Sequence, residues 1–418
     1  YDVLTNLPNR SLFNSSMRRA FNRRKDDQVS AVLYIDLDHF KAVNDSYGHA
    51  IGDKVLAEAA RRIEGAIDST TMVARLGADE FAVLLDHIDN RNDALLVAQD
   101  IVTAMDEPIT VDGQELPLGA SVGVAFAPDN GLSGEEVLKA ADLALYDAKS
   151  RGRRGTSLFD PTMQLEAHER RTMELDLRAA LGNGELEVHY QPLLQAETTE
   201  IVGYEALLRW NHPEKGSISP AVFIPIAEET GQIVSIGAWV LREALREAAN
   251  WPVELSVSVN LSPAQMRDEG LLNTIVGALA SSGVSSDRLE LEITETLLMQ
   301  DNEDTIALLH RIRDLGVRIA LDDFLLNEHS RLLLPFADII KIDVLNLSEK
   351  EIREQMAALK KPTLKFVAEK IETHEVFKLC CEVGFDYFQG YYFARPAMIE
   401  QKDIHYNYGL VIAIYSEV

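Results

Sequence analysis

The second half of the chain carries polar and charged side chains whose types and spacing could hold metal ions. Each lies at or near the end of a different apolar run of the kind that predicts a β-strand: Glu205, Asn260, Glu292, Asp322, Lys341, Glu369 and Gln389. A single Glu in a strand is ordinarily a solvent-facing residue. Seven such residues in phase across successive strands instead indicate that they converge on one site.

The residue types at these positions indicate the chemistry. Carboxylates and carboxamides are oxygen ligands, and no Cys or His set accompanies them, so the pattern favours Mg²⁺ or Mn²⁺ over zinc. Clustered carboxylates repel one another, and a metal ion or bound protons must compensate. Two adjacent divalent ions would activate a water and clamp a phosphodiester for in-line displacement. A lysine beside them would hold the water or stabilise developing charge.

Eight apolar runs separated by helical spacing must position these groups. The predicted strands are Leu186–Pro192, Val202–Trp210, Leu255–Leu261, Leu289–Glu295, Val317–Asp322, Ile339–Asp343, Leu364–Glu369 and Asp386–Tyr391. Eight strands with intervening helices over about 250 residues fit a (β/α)₈ barrel better than an open sheet. In such a barrel the residues at the strand ends meet on one face.

The first half predicts a separate α/β unit with its own carboxylate site. Its expected elements are a strand over 31–37, a hairpin over 75–85, a strand over 121–127 and a helix over 135–149 introduced by Ser133. Asp36 at a strand end would face Asp79 and Glu80 on the hairpin turn, which is enough carboxylate for Mg²⁺ bound to a triphosphate. Lys149 and Arg153 at a helix end would supply positive charge to the phosphates.

Short motifs surround the strand-end residues of the second half. They are Glu205-Ala206-Leu207 with Arg209-Trp210, Val259-Asn260-Leu261-Ser262, Glu292-Ile293-Thr294-Glu295, Asp322-Asp323-Phe324, Lys341-Ile342-Asp343, Glu369 with Glu372-Thr373, and Gln389-Gly390-Tyr391. Across residues 165–400 this set resembles the EAL family, the phosphodiesterases that open cyclic di-GMP to linear pGpG.

The resemblance implies a role for each residue. The residues that would hold two metal ions are Glu205, Asn260, Glu292, Asp322, Asp323, Glu372 and Gln389. Glu369 would be the general base, Lys341 would serve the attacking water, and Glu205 would join them in catalysis. Gln191 and Arg209 would contact cyclic di-GMP, with Arg209 as a fork for a phosphate.

Two segments depart from the family pattern. Members usually follow the paired aspartates with Phe-Gly-Thr-Gly-Tyr-Ser-Ser, whereas residues 324–330 here read Phe-Leu-Leu-Asn-Glu-His-Ser, which removes two glycines and their positive-φ freedom. Glu295 thereby lacks the loop partner that its family counterpart anchors. Lys370-Ile371 stands where Gly-Val is usual. From about residue 324 onward the chain is closer to the EAL half of EAL–HDOD proteins, which often lack full activity, so we expect slow catalysis.

A second set of motifs opens the chain. It comprises Asp36-Leu37-Asp38-His39-Phe40, Asn44-Asp45, Gly52-Asp53, Arg75-Leu76-Gly77-Ala78-Asp79-Glu80-Phe81 and the run from Asp142 to Arg153. Residues 1–160 thereby resemble a GGDEF diguanylate cyclase. The resemblance implies a Mg²⁺–GTP site formed by Asp36, Asp79, Glu80, Lys149 and Arg153, with Asn44 and Asp53 reading the guanine edge.

One residue of that motif differs from the family. Ala78 replaces the second glycine, so a methyl group projects where the backbone approaches substrate. A methyl at a tight contact costs about 1–3 kcal/mol. We therefore expect GTP binding with weak or absent cyclase activity.

Composition limits the partners and the compartment. The chain has 418 residues and a formal net charge of −27, which disfavours binding to DNA or to an anionic lipid surface. Only two cysteines occur, and no apolar run is long enough to span a bilayer, so a reducing, cytoplasmic setting is expected. Because the chain begins at Tyr1 inside a motif, we interpret it as the cytoplasmic part of a longer sensor protein.

The expected architecture is α/β with two domains. Residues 1–160 form a GGDEF-type nucleotide-cyclase palm fold, 161–183 a linker helix and 184–418 an EAL-type TIM-like barrel. The favoured function is a metal-dependent cyclic di-GMP phosphodiesterase regulated by a GTP-binding first domain. The alternative is a weak or inactive receptor for cyclic di-GMP or GTP that acts through protein partners. A homodimer through either domain stays open.

Overall fold

The computed structural model describes residues 1–23, 28–68, 71–294, 302–326, 330–359 and 363–398. The chain divides into two compact units, Tyr1–Arg171 and a second that begins at Thr172. Both mix helices with strands, and the second closes its strands into a barrel, so the expected fold class is confirmed. No helix among the described residues is both long and apolar enough to cross a membrane.

A five-stranded sheet forms the centre of the first unit. Its strands, in spatial order, are β2 (Met72–Arg75), β3 (Glu80–Ile88), β1 (Val29–Asp38), β6 (Gly119–Ala127) and β7 (Thr156–Leu158). A separate hairpin joins β4 (Ile109–Val111) to β5 (Gln114–Leu116). The helices are α1 (Arg10–Arg23), α2 (Phe40–Tyr47), α3 (His49–Gly65), α4 (Arg91–Asp106) and α5 (Gly134–Ser150), followed by α6 (Pro161–Asn183).

Both faces of this sheet are buried, because β1 alternates its side chains between two cores. Leu33 and Ile35 pack in the core that α3 and α4 complete, whereas Val32 and Tyr34 pack in the core that α1 and α5 complete. Helix α5 begins at Ser133, whose side chain accepts a hydrogen bond from the Glu136 amide in a capping box. The predicted start of that helix is confirmed.

Eight strands of the second unit close into a barrel. They are β8 (Leu186–Gln195), β9 (Ile201–His212), β11 (Ser256–Asn260), β12 (Leu289–Thr294), β13 (Arg318–Asp322), β14 (Ile339–Asp343), β15 (Lys365–Glu369) and β16 (Tyr387–Phe388), with β10 (Gly216–Ile218) added to β9. The helices are α7 (Pro220–Glu229), α8 (Gln232–Ala248), α9 (Pro263–Met266), α10 (Leu271–Ser282), α11 (Asn302–Asp314), α12 (Glu349–Leu359) and α13 (His374–Val383).

The first strand of the barrel departs from the regular alternation that the sequence predicts. Strand β8 is antiparallel to both of its neighbours, β9 and β16, whereas the other barrel strands run parallel. Only residues 196–200 connect β8 to β9. A connection this short makes a hairpin, because a parallel crossover needs a dozen or more residues. No helix therefore separates the first two strands.

Strand periodicity explains why the strand-end residues face inward. Leu193, Ala320, Ile339 and Val367 form a small apolar cluster, and each lies two positions from a predicted site residue on its own strand. Because side chains two apart share a face, Gln191, Asp322, Lys341 and Glu369 share the faces of those four residues. The polar site lies directly above this apolar cluster, which we call the apolar floor.

Helix α5, which carries Lys149, packs directly on β6 at Gly123. A Cβ atom at Gly123 would lie 2.0 Å from the Ala141 carbonyl oxygen and 2.1 Å from the Leu145 amide nitrogen. We predict that Gly123→Ala lowers the free energy of unfolding of the first unit by about 1–3 kcal/mol, because helix backbone must move. Gly65→Ala, in α3 with nothing within 4 Å of its Cβ position, is the matched control. Urea denaturation checks both, and equal losses would contradict this account of the packing.

Candidate active site

Lys341 lies at the centre of four carboxylates at the carboxyl end of the barrel. Its ammonium nitrogen is 2.7 Å from an oxygen of Glu292, 2.7 Å from Glu369, 3.3 Å from Glu205 and 3.7 Å from Asp322. The Lys341 side chain is only 3% exposed. Five strands, β9 and β12–β15, thus each contribute one charged group to a single buried cluster.

One positive charge cannot balance four negative charges, and the pKa values reflect this. Burial raises the pKa of Glu292 well above its ordinary value, and the neighbouring Glu205 carboxylate adds to the shift. Burial likewise raises the pKa of Glu369, although Lys341 opposes it. Burial alone would lower the pKa of Lys341, but the surrounding carboxylates raise it well above its usual range. The cluster therefore holds protons tightly or requires further cations.

Two amide side chains orient the Glu205 carboxylate, and a third contacts one of those two amides. Asn260 donates to one of its oxygens at 2.7 Å, and Gln389 donates to the other at 2.7 Å. Gln389 also donates to the Gln191 side-chain oxygen at 3.3 Å, and Gln191 in turn donates to the Ala394 carbonyl at 3.1 Å. Glu205 is thus held between the lysine and two amides that come from separate strands.

A cleft of about 380 Å³ opens above the cluster. It is lined by Gln191, Glu205, Leu207, Asp322, Asp323, Glu369, Lys370, Glu372, Gln389, Gly390 and Tyr391. Among the described residues, Asp322, Asp323 and Glu369 each offer an oxygen, and these atoms all lie within 4.8 Å of one another. An all-oxygen set with excess negative charge fits a hard divalent cation such as Mg²⁺ or Mn²⁺.

The other predicted residues of the second half lie at the edge of the cleft, in a neighbouring cavity or outside the described part of the chain. Glu372 lines the cleft but is exposed. Arg209 lines a neighbouring cavity of about 320 Å³ together with Asn260 and Leu207, and its guanidinium donates to the Leu208 carbonyl. Glu295 and residues 327–329 lie outside the described part of the chain.

Two residues to which the sequence analysis assigned no site role lie beside this site. Lys370 directly follows Glu369 and contacts Asp343 at 2.6 Å and Asp323 at 3.4 Å. Asp343 ends strand β14. A basic residue beside a predicted catalytic carboxylate was the available clue to Lys370.

A second carboxylate group lies in the first unit. Asp36 on β1 pairs in register with Glu80 on β3, and its carboxylate is 2.7 Å from the Lys149 ammonium. Burial raises the pKa of Asp36 to about 6, with Lys149 opposing the shift and Asp79 adding to it. Burial also raises the pKa of Asp79. The structure therefore brings together Asp36, Asp79, Glu80 and Lys149 as a compact polar group.

The remaining predicted residues of this unit lie on adjoining elements. Asn44 is on α2 and the exposed Asp53 on α3, where a Cβ at Gly52 would lie 2.0 Å from the Asn44 side-chain oxygen. The close approach requires glycine at position 52. Arg153 follows the end of α5 and is exposed.

Ala78 occupies the hairpin turn without backbone strain. Its φ is not among the positive values of the chain, and its side chain is exposed. Arg75 donates to the Ala78 carbonyl at 2.6 Å. The methyl group thus affects only what approaches the turn from outside.

Comparisons with known proteins agree with this geometry. The family model described as "EAL domain" matches residues 174–396, and the one described as "Diguanylate cyclase, GGDEF domain" matches residues 1–155. The first match covers the barrel site and the second covers the Asp36 group.

Characterised relatives share both halves. The bifunctional diguanylate cyclase/cyclic di-GMP phosphodiesterase MucR of Pseudomonas aeruginosa is 37% identical over 416 residues, which is 96% of this chain and 61% of MucR. The cyclic di-GMP phosphodiesterase NbdA of the same organism is 37% identical over 412 residues, covering 95% of this chain and 52% of NbdA. The chain spans about half the length of most of the curated relatives it matches.

A solved structure extends the likeness to three dimensions. The MucR phosphodiesterase in complex with c-di-GMP is 35% identical, with a TM-score of 0.52 over 55% of this chain and 99% of that one.

Removing the central ammonium tests the charge balance of the barrel site. We predict that Lys341→Met in EDTA lowers the free energy of unfolding of the second unit by about 3–5 kcal/mol, since buried carboxylates lose their shared partner. Mn²⁺ offsets part of the loss. The control is Lys365→Met at the amino end of β15, which breaks a half-exposed pair with Asp386 and lowers the free energy of unfolding by at most about 1 kcal/mol. Urea denaturation with EDTA or Mn²⁺ checks this, and an unaffected Lys341 variant would contradict it.

Proposed function

We propose that this chain, which belongs to the tandem GGDEF–EAL family, hydrolyses cyclic di-GMP to pGpG at the carboxyl end of its barrel with the help of divalent metal ions. The observation that carries the proposal is the convergence of Glu205, Glu292, Asp322 and Glu369 on Lys341. The EAL family match and the phosphodiesterase relatives support it.

The donor set fits two Mg²⁺ or Mn²⁺ ions. The residues that would hold them are Glu205, Asn260, Glu292, Asp322, Asp323, Glu372 and Gln389, and the oxygen-only chemistry of these side chains supports the assignment. Ions bound there would lower the pKa of a coordinated water and offset charge on the phosphodiester. Because metal binding supplies positive charge, it also relieves the repulsion among the carboxylates.

The protein's own groups perform the proton transfer and the positioning. Glu369, held by Lys341 at 2.7 Å, takes the proton from the attacking water as a new oxygen–phosphorus bond forms. The bond from phosphorus to the ribose 3′ oxygen breaks, and that oxygen leaves with a proton. Lys341, 2.7 Å from Glu369, orients the water and stabilises charge on the phosphoryl oxygens.

Substrate contacts would come from both sides of the cleft. Gln191 lines the cleft beside Glu205. Arg209 lines the adjoining apolar cavity, where its guanidinium would reach a phosphate or a base of the dinucleotide. Leu207 lines both cavities, and we expect the dinucleotide to extend from one to the other.

The first unit would bind Mg²⁺ and GTP and regulate the barrel rather than make cyclic di-GMP efficiently. The Asp36–Lys149 pair and the neighbouring Asp79 support a metal–triphosphate site. Glu80 and Arg153 would complete it, and Asn44 and Asp53 would contact guanine. The GGDEF match supports this assignment, and Ala78 is the reason for weak synthesis.

The hydrolase proposal predicts pGpG from cyclic di-GMP in the presence of Mn²⁺ or Mg²⁺, measured by chromatography of the nucleotides. Glu205→Ala lowers the rate by at least about 100-fold, the scale for loss of one electrostatic stabiliser. Formation of pGpG no faster than in the Glu205→Ala control would contradict the proposal. Tight binding of cyclic di-GMP in EDTA without turnover after metal addition would instead support a receptor.

The cyclase site gives a separate prediction. We expect Ala78→Gly to restore measurable synthesis of cyclic di-GMP from GTP, because it removes the one methyl group at the turn. The matched control is Ala78→Gly combined with Asp79→Asn, which removes a carboxylate of the metal group and abolishes the gain. Chromatography of the products checks both variants. An Ala78→Gly protein that binds GTP and stays silent would show that the methyl is not the main defect.

A further inference from the structure

Lys370 introduces a second lysine beside the carboxylates of the barrel site. It follows Glu369 at the end of β15 in a left-handed backbone conformation, with φ at 56°. Its ammonium lies 2.6 Å from an oxygen of Asp343 and 3.4 Å from an oxygen of Asp323. The strong contact to Asp343 anchors the ammonium, and the weaker contact brings it to Asp323.

Asp323 is also one of the three residues whose oxygens are close enough to share a metal ion. The other two are Asp322 and Glu369. Lys370 and Asp323 both line the cleft, and their side chains are about half exposed at 50% and 57%. The Asp323 carboxylate is therefore within reach of both the Lys370 ammonium and a divalent ion.

We propose that Lys370 competes with the divalent ion that Asp322 and Asp323 would hold, so that this ion binds more weakly than the one beside Glu205 and Glu292. The inference rests on the proposed function for the identity of the site. It makes Lys370 a positioning residue that sets the metal concentration at which the site is complete.

The physical basis is repulsion between cations that share a ligand. Even with water-like screening, a single and a double positive charge about 6 Å apart repel by an amount that corresponds to about a tenfold change in affinity. Half exposure lets the lysine swing away when an ion binds, but it then loses its contact with Asp343. The competition lowers affinity without abolishing it.

The test is a titration of the metal-free chain with Mn²⁺ and no nucleotide, in which the electron paramagnetic resonance signal of free Mn²⁺ reports binding. Every protein in the titration carries Asp79→Asn, which removes a carboxylate of the first unit's own metal group. With the barrel otherwise unchanged, the chain is expected to bind one ion tightly and a second weakly. Lys370→Gln, which keeps length and removes charge, binds the second ion at least about tenfold more tightly. Lys370→Gly shows the same gain and fits the left-handed backbone without strain.

Two controls separate charge from structure. Lys370→Arg keeps the charge and is expected to match the wild type. Lys365→Gln removes an ammonium from the other end of β15 that is 51% exposed and 2.7 Å from Asp386, and it leaves both affinities unchanged. Identical Mn²⁺ isotherms for wild type, Lys370→Gln and Lys370→Gly would overturn the proposal, as would a gain in Lys370→Arg equal to that in Lys370→Gln.

The outcome is independent of hydrolysis. A tighter second ion in Lys370→Gln without any pGpG would uphold the competition and contradict the proposed phosphodiesterase. If the chain hydrolyses cyclic di-GMP but Lys370→Gln binds the second Mn²⁺ ion no more tightly, the proposed phosphodiesterase is supported and the competition is contradicted.

Discussion

Four carboxylates in a buried space around one ammonium form the constraint on which the barrel depends. Like charges this close cannot all ionise without compensation, and Lys341 supplies one positive charge to Glu205, Glu292, Asp322 and Glu369. The remaining negative charge must be balanced by bound protons or metal ions. Because such groups are costly to bury unpaired, their convergence is explained by a ligand-binding role and not by stability.

The architecture meets this constraint through strand periodicity. Gln191, Asp322, Lys341 and Glu369 each stand two positions from a residue of the apolar floor formed by Leu193, Ala320, Ile339 and Val367. On these four strands an apolar layer of the barrel interior is therefore followed by a polar one. The antiparallel first strand adds Gln191 from the opposite chain direction. It links to Gln389 and through it to Glu205. Side chains from several barrel strands thus restrain the Glu205 carboxylate, directly or through Gln389.

Sequence patterns predicted the barrel and the polar layer, because position at a strand end follows directly from apolar runs. The direction of a strand does not follow from its apolar run, because the run of β8 reads the same in either orientation. Only the short connection after Gln195 indicates a hairpin. Contacts between long side chains on different strands cannot be read from the sequence either. The approach of Lys370 to Asp323 depends on a left-handed residue and on Asp343 across the neighbouring strand. Arg209, which is predicted to contact cyclic di-GMP, lines the cavity next to the carboxylate cluster.

The most direct test of the central claim is a crystal structure of the chain grown with saturating Mn²⁺, with anomalous diffraction recorded at the manganese edge. The account predicts two anomalous peaks at the carboxyl end of the barrel, close to Glu205, Glu292 and Asp322. A map with no peak in that cleft, with Lys341 alone neutralising the four carboxylates, would contradict it.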